Sequence, residues 1–330
     1  MRNHKINLAD ADNTLNSLTT TYAGEFAGKY ISAALLSGKT LAEGSITIKP
    51  NIAYKEVIKK VKDDANFIVD ATCDFENGGT PDAISLEERI LQPEEYQVGL
   101  QFCKKDFVSD WESIAMGYSA YKNAPPKFVD FVLAHVIAKV AEKTEQNIWQ
   151  GVDANAGEFD GFTTLLAADG DVNAAVNGGE TSFSSSNILT LLGNVVDSLP
   201  SAVYGKEDTT IYVPTAALQA YVRALGGFGA NGLGAAGTNA QGSQWYNQGN
   251  ALAFEGIKVQ HAPGMPSDHV VAGQASNFYF GTGLLADHNL CKIIDLADID
   301  GSQNFRVIMR YTAGVQYGIG SDVSLLTLAP

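Results

Sequence analysis

The chain is short of the residues from which most reactive sites are built. Its 330 residues include three cysteines, five histidines and three tryptophans. Cys73, Cys103 and Cys291 lie far apart, are odd in number and form no Cys-x-x-Cys pair. That excludes a disulfide framework and a thiol-rich zinc site, and suits a reducing cytosol. His4, His135, His261, His269 and His288 form neither H-E-x-x-H nor an i, i+4 helical pair, so no histidine metal centre is expected. No serine sits in G-x-S-x-G, and no cysteine is placed as an obvious nucleophile. Positive charge is scarce as well. Lys plus Arg number 22 against 37 for Asp plus Glu, a net charge of −15, which argues against phosphate-backbone binding as the main task. No uncharged apolar run approaches the ~20 residues needed to cross a bilayer. Met1-Arg2-Asn3-His4-Lys5 and then Leu8-Ala9-Asp10 lack the apolar centre of a signal peptide. The expectation is a soluble protein made in a cytoplasm, with no membrane partner, no cofactor and no metal. Internal repeats and low-complexity tracts are absent too.

What is present is a core-forming composition: 45% apolar and 18% charged residues, with 33 glycines supplying turns and bulges. A chain of this length forms one large domain or two ordinary ones, and needs no disulfide or metal to hold it.

Residues 1–44 read as an arm, polar from Asn13 to Thr21 and then helix-like from Tyr22 to Leu36. From Gly44 to Phe107 the texture is of strands. Val57-Ile58, Phe67–Val69, Ile84–Ile90 and Tyr96–Phe102 are short β-prone runs separated by turn residues. Lys55, Lys59, Lys60 and Lys62 come first and Glu87, Glu88, Glu94 and Glu95 later. So many charges with so few large apolar residues predict a long projecting hairpin that depends on neighbours for stability. The longest helix is predicted over Pro126–Gln150. Proline suits its first position, Gly151 its stop, and Val129, Leu133, Val136, Ile137, Val140, Thr144 and Ile148 recur at helical spacing. Beyond Glu180 helix and strand alternate: a helix over Phe183–Ser198 with Ser184–Ser186 as candidate caps, a strand over Thr210–Val213 and a helix over Pro214–Leu225. Strands are predicted at Ile257–Gln260, His269–Ala272, Phe278–Phe280 and Cys291–Leu296. Phe305–Leu325 reads as closing strands.

Two motifs could carry chemistry. The loop 226–237 spells G-x-G-x-x-G twice, at Gly227–Gly232 and Gly232–Gly237. A dinucleotide fingerprint needs a strand before it and a helix after it, and here a helix precedes. A Gly-rich loop is the plainer reading. Asp169, Asp171, Asn173 and Glu180 fall at positions 1, 3, 5 and 12 of a calcium loop, but Ala174 stands where the sharp turn wants glycine. A solvated acidic turn is expected there. No catalytic, cofactor-binding or metal residue is assigned.

The order of parts carries a resemblance. Lys143-Thr144-Glu145-Gln146-Asn147-Ile148-Trp149-Gln150-Gly151, with Gly161-Phe162 ten residues later, looks like the end of a capsid spine helix and the Gly-aromatic entry beyond it. Cys73-Asp74-Phe75 with Leu86–Leu91 resembles the descending half of an extended loop, and Phe102–Glu112 the passage into a peripheral domain. Arm, charged hairpin, long helix, mixed segment and closing strands together resemble the tailed-bacteriophage major capsid protein family, with the Hong Kong 97-like fold. The resemblance implies an α+β fold with an N-arm (1–44), an extended loop (45–107), a peripheral domain (108–180 and 295–330) carrying the spine helix 126–150, and an axial domain (181–294). It implies a structural, non-enzymatic subunit that self-assembles into hexamers and pentamers of an icosahedral shell around double-stranded DNA, without reading its sequence. A portal protein, a separate scaffolding protein and decoration proteins are the implied partners, and the virion the implied location, after assembly in the host bacterial cytoplasm. Alternatives are an encapsulin-like compartment or, from another class, a nucleotide-binding enzyme using the loop 226–237. Lysine–asparagine crosslinks of the kind some family members form are not carried over, since no partner asparagine or catalytic glutamate aligns.

Overall fold

Helix α2 (Pro126–Gln150) has the bounds predicted for it. Of the predicted stripe, Val136, Ile137, Val140, Thr144 and Ile148 are buried, while Lys139, Glu142 and Lys143 face solvent. The computed structural model describes residues 39–63, 84–103, 126–226, 252–283 and 292–329. The arm to residue 38, Phe67–Val69, the loop 227–251 and His288 lie outside the described residues. The chain divides into two compact units.

Of the described residues, the smaller unit holds 97–103, 126–135 and 292–310. It takes residues 97–103 of β4 (Glu94–Cys103) and the beginning of α2. Strand β11 (Lys292–Asp295) runs antiparallel to residues 305–308 of β12 (Asn304–Tyr317). Between them lies the single turn α6 (Ala297–Asp300), where the Asp295 carboxylate accepts the Ala297 N–H at 3.0 Å and Gly301 adopts φ 72°. Alternation in β12 puts Phe305, Val307 and Met309 inside, as period-two patterning requires.

The larger unit contains a six-stranded sheet in the order β5-β13-β9-β6-β8-β7. Its strands are β5 (Asn173–Ala174), β6 (Thr209–Val213), β7 (Ala253–Phe254), β8 (Ile257–His261), β9 (His269–Gln274) and β13 (Ser324–Thr327). All five residues of β6 are buried; this is a central strand covered on both faces. Helices α4 (Ile188–Asp197) and α5 (Thr215–Gly226) lay Leu191, Leu192, Val195, Ala217 and Tyr221 against Ile211, Val213, Val259 and Val270. The helix predicted from Phe183 starts five residues later. Ser184 and Asn187 bond each other reciprocally, side chain to backbone N–H, at 2.8 and 3.3 Å, which makes residues 184–187 a turn before the first helical residue.

A second sheet in this unit starts with β1 (Thr47–Lys49), parallel to β10 (Phe278–Gly281), which pairs antiparallel with residues 314–317 of β12. Between the two sheets' residues and α2 sits a four-ring cluster. Trp149 lies 5.5 Å from Phe162 and 5.1 Å from Tyr212, and Phe278 lies 5.1 and 5.5 Å from the same two rings. Phe162 opens α3 (Phe162–Ala168). The pairing of Gly151 with Gly161 has a packing cause: the Gly161 N–H donates to Gly151 O at 2.9 Å, and a Cβ at 161 would stand 2.6 Å from the Trp149 carbonyl. Only glycine lets the chain turn that tightly under the tryptophan.

Candidate assembly surface

Only part of the charged segment 44–107 is the expected hairpin: β1 pairs with β10 and β4 with β12 in the second sheet, so the run at Tyr96–Phe102 is not one of its strands. Strands β2 (Glu56–Asp63) and β3 (Ile84–Leu91) pair antiparallel over eight residues and belong to no larger sheet among the described residues. The register sets Lys59 opposite Glu88 and Lys60 opposite Glu87, so the basic and acidic halves meet within the hairpin. The exposed pair Lys59–Glu88 contributes about 0–1 kcal/mol and cannot fix such an element alone.

Alternation gives the hairpin two unlike faces. The inner one carries Glu56, Ile58, Lys60, Arg89 and Leu91; Ile58 and Leu91 are buried with Ile52 against Tyr279, and Lys60 is buried beside them. Lys49 reaches Glu56 as an ion pair and lies 5.0 Å from the centre of the Tyr279 ring. The outer face carries Val57 and Ile90, directly opposite one another and 43% and 50% exposed. Tyr54, just before β2, is 70% exposed. A cross-strand pair of branched apolar residues on open surface is unusual in a small two-stranded element, which has no core of its own to spare them for.

The root of the hairpin is polar. Arg89 donates to the Asp169 carboxylate at 2.5 Å and stacks over Tyr317, 4.3 Å from the ring centre. The Tyr317 hydroxyl donates to the same Asp169 oxygen at 2.6 Å, and the Asp171 N–H to the other at 3.0 Å. Burial alone would raise Asp169, but the hydroxyl, the N–H and the guanidinium together hold it below the usual carboxylate range. Burial and the neighbouring Asp169 push the Tyr317 phenol up. The Gln316 side-chain amide donates a hydrogen bond to Ile90 O at 3.2 Å.

A second junction ties the first described helical turn, α1 (Lys39–Ala42), to α2. Thr40 donates its N–H (3.1 Å) and its hydroxyl to the buried Glu145 carboxylate, and accepts the Trp149 indole N–H at 2.9 Å. Burial raises Glu145, partly offset by the Thr40 donors, Trp149 and the Gly264 N–H.

The other candidates from the sequence do not gather into a site. Asp169 is an anchor rather than part of a solvated turn, Asn173 donates to Ser321 O at 2.6 Å, and Glu180 accepts from Asn187 at 2.9 Å; these partners are scattered, and no metal-holding group occurs among the described residues. His261 is held between Lys39 and Thr215 at 3.0 and 2.9 Å, and His269 pairs with Asp268 at 2.8 Å. No helix among the described residues is long and apolar enough to cross a membrane. Sequence reasoning missed Arg89, Asp169 with Tyr317, and Thr40 with Glu145. The available signal was Glu145 itself, three residues before Ile148 and four after Ala141 on the buried side of a helix.

No protein-family model matches the chain, and no curated protein matches it in sequence. Solved structures do. A chain of the capsid of a native GTA particle superposes with TM-score 0.58 at 14% identity, covering 98% of both chains. The capsid of Myoviridae phage XM1 gives 0.54 at 13% identity, over 99% of this chain and 100% of that one. This chain has the fold of phage capsid proteins. The satellite phage P4 procapsid, solved with its size determination protein, gives 0.53 at 10% identity over 91% and 98%. The likeness foreseen from segment order is therefore met at the level of fold, along the whole chain and at very low identity.

Proposed function

We propose that this chain is the major capsid protein of a tailed bacteriophage, a structural subunit that builds hexamers and pentamers of an icosahedral shell around double-stranded DNA. The observation that carries it is the superposition on phage capsid chains over 98–99% of this chain and 98–100% of theirs. The hairpin supports it independently, since a two-stranded element with an apolar pair on its open face gains stability once another copy covers it. On this reading residues 1–44 are the N-arm, 45–107 the extended loop, and 108–180 with 295–330 the peripheral domain, with α2 as its spine. Residues 181–294 are the axial domain. The partners are further copies of the chain, a portal protein, a separate scaffolding protein and decoration proteins. The role is structural rather than catalytic, and the location is the virion. A net charge of −15 fits a shell that encloses DNA without gripping it.

Electron microscopy of the purified protein, alone and co-expressed with a candidate scaffolding protein, tests the proposal. Icosahedral shells or capsomer rings are the expected result. Uniform small particles in every condition would overturn it.

A further inference from the structure

We infer that Arg89, Asp169 and Tyr317 form a clamp that fixes the direction in which the β2–β3 hairpin leaves the body of the subunit, which makes them positioning residues for assembly. The inference rests on the proposed capsid function for its consequence, but on local geometry for the clamp itself.

The hairpin has two roots. Leu91, Ile58 and Ile52 form the apolar one, which is small and nondirectional. The polar one is directional. A guanidinium is planar, and here its face lies over the Tyr317 ring while its edge meets Asp169. Stacking and hydrogen bonding thus restrain Arg89 along two different directions. Asp169 is in turn restrained at both oxygens, by the Tyr317 hydroxyl on the one Arg89 uses and by the Asp171 N–H on the other. Tyr317 lies in β12, whose partner β10 also pairs with β1, the strand that leads into the hairpin. Both legs of the hairpin are therefore referred to one sheet. Gly320 completes the arrangement: a Cβ there would stand 2.6 Å from the Asp169 oxygen that Arg89 and Tyr317 share, so the carboxylate can occupy that place only beside glycine. An element that reaches for another copy of the chain needs a defined direction, since a loosely rooted hairpin samples orientations that do not dock and loses affinity in proportion.

The test uses the full-length unassembled subunit and four variants. Asp169→Asn removes the charge, Tyr317→Phe the hydroxyl alone, Arg89→Lys the planar fork alone, and Gly320→Ala displaces Asp169 without altering any of the three. Hydrogen exchange is followed in β3 and, as an internal control, in β6 and β9. The expected result is exchange about tenfold faster in β3 for Asp169→Asn and Gly320→Ala, with β6 and β9 unchanged and smaller effects for the two conservative variants. Shells from these variants should then be heterogeneous in diameter. Unchanged exchange in β3 would overturn the clamp, and so would loosened hairpins that still close shells of wild-type diameter. A variant that exchanges everywhere has lost its fold, and Tyr317→Phe then decides. If the wild-type chain never forms shells, the assembly reading falls instead, and the exchange data still judge the clamp.

Discussion

Replacing Val57 and Ile90 together by threonine should separate the folding of the subunit from its assembly. Both residues stand opposite one another on the outer hairpin face, about half exposed. Fully burying such a side chain is worth about 1.5–3 kcal/mol, so covering the exposed half of each contributes about 1 kcal/mol, or about 2 kcal/mol per docked hairpin. Threonine keeps the β-branch that a strand favours, and at partly exposed sites the subunit itself should lose about 1 kcal/mol or less. Under the proposed function each subunit brings one hairpin, so a closed shell would hold one hairpin contact per subunit. The concentration threshold for shell formation should then rise by the factor that 2 kcal/mol represents, roughly thirtyfold. Circular dichroism reports the fold, and sedimentation velocity across a concentration series reports the threshold. A doubly substituted chain that assembles at the wild-type threshold would refute the reasoning, because the apolar pair would then face solvent in the shell as well.

Other expectations rest on the same geometry. Because Asp63 pairs with Ile84, residues 64–83 can be replaced by a two-residue Asn-Gly turn; circular dichroism should show a folded subunit, while electron microscopy should show shells few or unclosed. Thr40→Val strips the acceptor from the Trp149 indole and the hydroxyl donor from Glu145, leaving the backbone N–H of residue 40 in place, at about 1–3 kcal/mol per unsatisfied buried group, read as a lowered urea midpoint. Asp169 is depressed, so its contribution is complete above the usual carboxylate value of 3.8 and is lost as pH falls further; protection of the hairpin amides, taken relative to their intrinsic exchange at each pH, should fall below that pH in the wild type and stay flat in Asp169→Asn, with Arg89, Tyr317 and Asp171 the groups that face it. Glu145 acts in the opposite sense. Its folded value is raised above 4.5, so stability should fall as pH climbs from there through the raised value, and Glu145→Gln should remove that slope in a denaturation series.

The features legible in the sequence are those that depend on neighbours along the chain. Pro126 and Gly151 bracket α2 because a missing N–H and a missing Cβ act locally. Phe305, Val307 and Met309 declare β12 by alternation, and the density of charge over few large apolar residues foretold a hairpin, of whose lysines the register sets Lys59 and Lys60 opposite glutamates. The clamp and the Glu145 junction could not be read in the same way. Arg89 meets Asp169 across eighty residues, Asp169 meets Tyr317 across 148, and Thr40 meets Glu145 across 105. A lone aspartate after a short helix carries no pattern, and its neighbours Asp171 and Asn173 invited a metal reading that the fold answers with three unrelated partners. Even Gly320 is mute as sequence, since what it must avoid is a carboxylate brought from elsewhere.

The division of labour inside the larger unit is set by where its apolar area lies. The ring cluster of Trp149, Phe162, Tyr212 and Phe278 and the α4–α5 face on the six-stranded sheet are closed to water, and they need no second chain to be complete. Among the described residues, the hairpin's root buries Ile52, Ile58 and Leu91, and Val57 and Ile90 are left outside. Burying those two against the body would have required the hairpin to turn over with its register unchanged, which would expel Ile58 and Leu91 at the same time. Ile58 and Leu91 inside and Val57 and Ile90 outside are therefore a single choice, and the polar clamp at Arg89 holds it. Substitutions in the ring cluster should then lower the stability of the isolated subunit, whereas substitutions on the outer hairpin face should leave it nearly unchanged and appear only when copies meet.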